Sequence, residues 1–321
     1  MSPRLELALQ SGLELSQPLT ALGPTLASDL SALPRDTQVV QPFKPFHDHF
    51  AQQGFAATPE SHDPCQDAIV ILPRAKALAR SMVYQACQRA SGLIVVDGAK
   101  TDGVDSLLKD IRKRVDVEGP IAKAHGKIFW FRSAPEAFAD WAAPEAQTVD
   151  GFRTAPGVFS ADGIDPASAL LLKSLPDKLG ARIADLGAGW GYLSAGVLKT
   201  ANPRTLHLVE ADHIALTCAR TNLADTCAQF RWADAVTWNA PEPLDAVVMN
   251  PPFHTSRAAD PELGKGFIKS AARNLTRSGN LWLVANRHLP YEVTLAESFA
   301  QVQEVSGNNR FKVFHASRPR R

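Results

Sequence analysis

Apolar residues are clustered most legibly in the second half of the chain. Apolar runs at residues 182–186, 206–210 and 244–249 predict buried strands. Between and beyond them, apolar positions three and four apart predict helices over 191–200, 214–224 and 262–275. Further strands are expected at 230–232 and 280–285, then a helix over 291–299 and an extended pair at 301–304 and 311–315. Strands alternating with helices predict a parallel sheet covered by helices on both faces. A weaker version of the pattern precedes it: strand 67–72, helix 75–89, strand 92–96, helix 104–115 and strand 127–132. Residues 1–60 are rich in Pro and Leu without a clean period, and the pattern assigns them no element. Residues 134–156 carry Pro135, Pro144 and Pro156 among alanines and read as a connector. Two α/β domains are therefore expected, 1–140 and 141–321.

Composition narrows the class without choosing a function. A chain of 321 residues suits two domains. Its 45% hydrophobic and 21% charged residues exclude a disordered chain, a fibre and a disulfide scaffold. No apolar run reaches the ~18 residues of a membrane span. The segment from Met1 to Leu15 carries Glu6 and Glu14 and lacks a basic-flanked apolar core, so no signal peptide and no membrane partner are expected. Cys65, Cys87, Cys218 and Cys227 form no C-x-x-C pair. No metal site is expected from them, and reduced cysteines fit a cytoplasmic chain. The net charge of +1 argues against a strongly basic polymer binder, yet residues 74–132 hold 12 basic against 6 acidic residues. Such an uneven field can steer an anionic polymer, or can simply be solvated helix faces. Nothing in the composition speaks to oligomeric state.

On helix-covered parallel sheets, ligands bind at the carboxyl ends of the strands, so the loops there carry the chemistry. The first is Asp185-Leu186-Gly187-Ala188-Gly189-Trp190-Gly191, between a predicted strand and a predicted helix. Glycines let the backbone approach a ligand and take positive φ. A dinucleotide loop requires a third glycine where this chain has Tyr192. The second loop begins at Glu210, an acid able to accept hydrogen bonds from two ribose hydroxyls. Asp234 stands in the third loop. The fourth, Asn250-Pro251-Pro252-Phe253-His254, directly follows the strong strand ending at Met249. An Asn oxygen and a backbone carbonyl beside stiff prolines can accept hydrogen bonds from a planar exocyclic amine, while Phe253 stacks on its ring. That amine's lone pair is delocalised, so alignment matters more than a strong base.

The D-x-G-x-G-x-G loop resembles the first motif of class I S-adenosylmethionine-dependent methyltransferases, and N-P-P-F resembles the signature of those acting on nitrogens conjugated to a planar system. N-P-P-F-H, with Gly157-Val158-Phe159-Ser160-Ala161-Asp162-Gly163-Ile164-Asp165 upstream, looks like the RsmC/RlmG group of ribosomal RNA guanine-N2 methyltransferases. The stretch Val284-Ala285-Asn286-Arg287-His288-Leu289-Pro290-Tyr291 and the ending Arg310-Phe311-Lys312-Val313 are also similar to that group. The resemblance implies a C-terminal Rossmann-like domain with a mostly parallel seven-stranded sheet, and an N-terminal degenerate methyltransferase-like α/β domain that positions RNA. It implies S-adenosylmethionine as cofactor and ribosomal RNA or a ribosomal subunit as partner. Asp185, Gly187, Ala188, Gly189, Gly191, Glu210, Asp234 and Asn250 would hold the cofactor, Asp234 facing its adenine. Asn250, Pro251, Pro252 and Phe253 would hold the flipped base.

Phe159, His254, Arg257 and Arg287 are further substrate-binding candidates. Against them, the arginines can be solvated and His254 can make a structural hydrogen bond. Asp162-Gly163 can be a turn, and Asp165-Pro166 a helix cap with proline at the first helical position. Trp190 and Tyr192 are expected to pack beside the glycine loop. His254-Thr255-Ser256-Arg257 matches neither branch of the group, which leaves the nucleotide open. Two other readings stand beside guanine in RNA: an adenine amine of nucleic acid or a protein glutamine amide as acceptor, and a non-catalytic RNA-binding relic.

Overall fold

Residues 1–60, to which the hydrophobic pattern assigns nothing, supply α1 (Pro3–Gln10), β1 (Leu19–Leu22), β2 (Gln38–Val40), α2 (Lys44–Gln52) and β3 (Ala56–Thr58). Strands of three or four residues are too short to show a period, and β1 is buried along its whole length. There follow β4 (Asp67–Ile71), α3 (Lys76–Arg89), β5 (Leu93–Ala99), α4 (Val104–Ile111), β6 (Glu118–Lys123) and β7 (Gly126–Arg132). Helix α4 stops short of the predicted residue 115: Val104, Leu107, Leu108 and Ile111 form its buried stripe, and Val115 packs against the same core from the turn that follows. This structure, a computed structural model, describes residues 3–144, 147–252 and 261–320.

The stretch 134–156 is more than a connector. A 3₁₀ helix, Pro135–Trp141, seats Phe138 and Trp141 in the first core, and β8 (Gln147–Val149) pairs with β9 (Phe152–Thr154) as a hairpin. Residue contacts divide the chain between them into two compact units, Met1–Glu145 and Ala146–Arg321.

The second unit continues with α5 (Pro166–Ser174), β10 (Arg182–Leu186), α6 (Tyr192–Ala201), β11 (Thr205–Glu210), α7 (His213–Asn222), β12 (Ala228–Trp232) and β13 (Leu244–Met249). It closes with α8 (Pro261–Asn274), β14 (Leu275–Asn286), α9 (Glu292–Ser298), β15 (Phe299–Gly307) and β16 (Phe311–Pro319). Its sheet runs β12-β11-β10-β13-β14-β16-β15, and the first unit's runs β3-β2-β1-β4-β5-β7-β6. Counted within each seven-stranded sheet, both orders are 3-2-1-4-5-7-6. In each, the first five strands pair in parallel and the seventh lies antiparallel between the fifth and the sixth. The mostly parallel seven-stranded sheet is as expected, and the first unit is the same design.

Both faces of the second sheet are covered, which is why its strands read as near-continuous apolar runs. Ala184, Leu186, Val247 and Met249 pack with Phe267, Ile268 and Ala271 of α8. Ile183, Leu206, Leu208, Ala246 and Val248 pack with Val197 of α6 and Leu216 and Ala219 of α7. Each fully buried Leu, Ile or Val contributes roughly 1.5–3 kcal/mol of transfer free energy. The chain thus spends its apolar residues on holding strand ends in register, and the loops at those ends are the fold's working surface.

Candidate active site

β10 and β13 are neighbours, with Leu186 paired to Met249. The chain leaves both strands at this level, so the glycine loop and the Asn250-Pro251-Pro252 turn start side by side. Gly187 and Ala188 donate their N–H groups to the Val209 carbonyl of β11 at 2.8 and 3.2 Å, drawing the loop across its other neighbour. Gly191 opens α6 in the left-handed region, and a Cβ there would lie 2.8 Å from Leu223 Cδ1. Gly189, also at positive φ, has nothing within 4 Å of where a Cβ would be. The first glycine is demanded by packing. The second leaves open backbone facing a void, as a cradle for a ligand requires.

Two carboxylates flank this loop. Asp185 is fully buried, and its Oδ2 accepts a 2.8 Å hydrogen bond from the Ser194 hydroxyl of α6. Its buried Oδ1 has no hydrogen-bond partner among the described residues. Burial pushes this carboxyl up to about 7, with the Ser194 bonds pulling the other way. Glu210 keeps part of its surface open yet lies deep among protein atoms, and desolvation raises it too to about 7. Its Oε2 accepts from Gly189 N–H at 2.7 Å and its Oε1 from Asp212 N–H at 2.8 Å, both favouring the charged form. Asp212 caps α7 through Ile214 N–H. Asp234 lies beside the end of β11, since Ala233 N–H reaches the Glu210 carbonyl at 3.0 Å. Asp234 Oδ1 accepts from Val236 N–H, a local turn bond.

Asn250 is fastened from upstream. Its Nδ2 donates to Asp165 Oδ2 at 2.8 Å and to Ser168 Oγ at 2.9 Å. Asp165 also caps α5, its Oδ2 accepting from Ser168 N–H at 2.8 Å, with Pro166 at the first helical position as expected. Pro251 is buried and Pro252 exposed.

The remaining predicted residues fall in different places. Phe159 is 57% exposed, and its carbonyl accepts from the Trp190 indole N–H at 2.9 Å, tying residues 157–165 to the glycine loop. Trp190 packs with Phe152, Tyr192, Val158 and Cys218, as expected of a loop buttress. Arg287 is committed within the fold: it reaches Glu304 Oε1 at 2.9 Å and the carbonyls of Asn308 and Phe311, bracing the β15–β16 turn. Phe253, His254 and Arg257 lie outside the described residues. Sequence reasoning gave no role to Ser194 or Ser168; neither stands at a motif spacing, and only the fold brings them to Asp185 and Asn250.

A cavity of about 350 Å³ opens at the amino ends of β10 and β13, lined by Lys178, Asp245, Asn280, Trp282 and His315 among others. It lies away from the glycine loop, and its Asp245 carboxylate is engaged with Arg182. Among the described residues no group of three His, Cys, Asp or Glu is placed to hold a metal ion, and no helix is long and apolar enough to cross a membrane.

A 3-2-1-4-5-7-6 sheet with a glycine turn after its first strand, an acid after its second and N-P-P after its fourth defines a class I methyltransferase domain. Residues 150–315 match the family model described as "Methyltransferase small domain". The chain is 33% identical to ribosomal RNA small subunit methyltransferase C of Shewanella piezotolerans, over 90% of this chain and 87% of that one. It is 32% identical to the protein of the same name from Hahella chejuensis, over 78% and 76%. The fold matches that of the T. thermophilus 16S rRNA N2 methyltransferase (RsmC), a structure in complex with AdoMet and guanosine, with a TM-score of 0.76 at 22% identity, covering 97% of this chain and 90% of that one. The chain belongs to the ribosomal RNA small subunit methyltransferase C family.

Proposed function

We propose that the protein methylates the exocyclic N2 amine of a guanine in small-subunit ribosomal RNA, with S-adenosylmethionine as donor. The relatives' name and the guanosine held by the T. thermophilus enzyme favour this acceptor over adenine or glutamine. The observation that carries the reading is the juxtaposition of glycine loop and Asn250 turn at paired strand ends. The residues present fit the donor: open backbone at Gly189, an acceptor carboxylate at Glu210 and a buried Asp185 oxygen without a partner among the described residues. When bound, the donor supplies a methyl group on a sulfonium centre.

Glu210 would accept from the donor's ribose hydroxyls, and the backbone of Gly187 to Gly191 would leave room for its amino-acid part. Asp185 would offer negative charge to the ammonium, and Asp234 would face the adenine. Asn250 Oδ1 and the carbonyl beside Pro251 accept from the guanine amine, fixing its lone pair towards the methyl. Alignment then supplies most of the acceleration. The base must leave its stack to reach this turn. The first unit, which includes the basic excess of residues 74–132, holds the RNA backbone.

The test is to incubate the protein with labelled donor and unmodified small- and large-subunit RNA and particles, then digest and identify the nucleoside. Methyl-N2-guanosine from the small-subunit RNA is expected. Methyl-N6-adenosine, or no label in any RNA while the donor still binds, refutes the assignment.

A further inference from the structure

The segment 157–165 resembles the family outside the four loops at the strand ends. One of its residues, Asp165, touches Asn250 across 85 residues of sequence. A primary amide has two ends of nearly equal size and opposite hydrogen-bonding character, and its rotation by 180° exchanges an acceptor for a donor. Only one orientation can receive an amine. Presented the other way, Asn250 would meet the guanine N–H with its own N–H.

We propose that Asp165, with Ser168, is a positioning residue for methyl transfer: it selects which end of the Asn250 amide faces the acceptor amine. The inference rests on the function proposed above and adds the group that sets it. An ionised carboxylate can only accept, so the atom held 2.8 Å from Asp165 Oδ2 must be the NH₂. Ser168 Oγ accepts the second proton of the same nitrogen at 2.9 Å. Both donors are then consumed on the α5 side, and no described residue donates to Oδ1.

The orienting group is itself held. Asp165 Oδ2 also takes the Ser168 N–H at 2.8 Å, so the oxygen that receives Asn250 is tied to the first turn of α5. Ser168 is only 7% exposed, and Ala167 and Leu171 fix that turn against the core. Rigid support of this kind is what a reacting constellation needs to stay within a fraction of an ångström of its working geometry. Capping alone does not require the second contact. A serine caps a helix about as well, but its hydroxyl lies one bond nearer the backbone than the Asp165 oxygen that receives Asn250.

The decisive variant is therefore Asp165→Ser with Ser168→Ala, which keeps a capping hydroxyl and removes both acceptors of the amide. Turnover on the small-subunit particle is expected to fall about a hundredfold, the order that a misaligned reacting group costs. The donor Kd and the KM for the particle should stay close to wild type, and the melting temperature should fall by no more than a few degrees, the cost of an unpaired amide. Asp165→Asn should recover most of the turnover, because its carbonyl oxygen can accept from Ser168 N–H and Asn250 together. Wild-type turnover in the double variant overturns the proposal, as does an Asp165→Asn enzyme no better than the double variant. A drop in melting temperature that accounts for the lost activity reduces Asp165 to a cap and overturns it as well. Asn250→Ala is the control: if that variant is fully active, the function itself is misassigned, whereas an inactive Asn250→Ala beside a fully active double variant sinks only the role of Asp165.

Discussion

Gln41 holds in the first sheet the register position that Glu210 holds in the second. Each directly follows the residue paired with the end of its unit's first strand: Val40 opposite Leu22, and Val209 opposite Leu186. Each accepts through Oε1 from the N–H two residues on, Phe43 for Gln41 and Asp212 for Glu210, both at 2.8 Å. They part at the other end. Glu210 Oε2 receives the Gly189 N–H, while the Gln41 NH₂ donates to the Pro24 carbonyl at 2.6 Å. The first unit thus keeps the turn and loses the carboxylate. Even the loop entry is preserved, with Gly23 N–H on the Val40 carbonyl as Gly187 N–H is on that of Val209.

A donor stoichiometry of one per chain follows, and titration calorimetry reads it directly. Glu210→Gln should weaken donor binding by about tenfold to a hundredfold, the loss of charge-assisted hydrogen bonds to the ribose. Two sites per chain, or unchanged affinity in that variant, would contradict the contrast between the units.

Donor binding should depend on pH. Glu210 and Asp185 both titrate near 7 in the unliganded protein because burial disfavours their charge. Ribose hydroxyls and an ammonium favour the charged forms, so affinity should fall as pH drops below about 7. The Kd measured at pH 6 should exceed that at pH 8, and Glu210→Gln should flatten part of the slope.

The same carboxyls set a trend in stability with the opposite sense. Each has a folded value near 7, above its ordinary value of about 4, so the folded state holds more protons in between. Their contribution to stability is full below about 4 and is lost as pH rises towards 7. The unliganded protein's melting temperature should carry this decline, and Asp185→Asn should remove a share of it. A melting profile over this range that Asp185→Asn leaves unchanged would refute the burial argument.

Gly189 and Gly191 should separate binding from folding. Gly191→Ala meets Leu223 at 2.8 Å and a φ of +92°, and should cost roughly 1–3 kcal/mol, seen as a lower melting temperature. Gly189→Ala meets open space at a φ of +56°, so it should carry only the left-handed backbone cost of about 1 kcal/mol, without a clash, while the Cβ obstructs the donor. Equal melting shifts in the two variants would remove this distinction.

Asn250→Ala should abolish transfer while leaving donor affinity within a few fold, because the turn acts on the acceptor. Filter binding and single-turnover transfer together check this.

The second sheet was legible because both its faces are apolar: 182–186 and 244–249 coincide with the bounds of β10 and β13. The loops between were legible because glycine, proline and asparagine are chosen there for backbone shape. β1, β2 and β3 escaped because so few residues carry no period, and β6 because its residues are exposed or half-buried and it contains Pro120. Arg287, a substrate-binding candidate from the sequence, is bound to Glu304, a partner 17 residues away that only the antiparallel return of β15 and β16 supplies. Asp165 was read as a cap, which it is. Its hold on Asn250 is a long-range contact that local spacing does not encode.

Two sheets of one permutation in a single chain make strand exchange conceivable in principle, since each strand of one copy has a counterpart of the same polarity in the other. Strand exchange between like units is a known route to misassembly. Here the copies are mismatched in length: β1, β2 and β3 span 4, 3 and 3 residues against 5, 6 and 5 in β10, β11 and β12. A long strand entering a short slot leaves backbone groups unpaired, and each such group costs about 1–3 kcal/mol when buried. The shorter strands of the first sheet therefore disfavour exchange of these strands between the two copies.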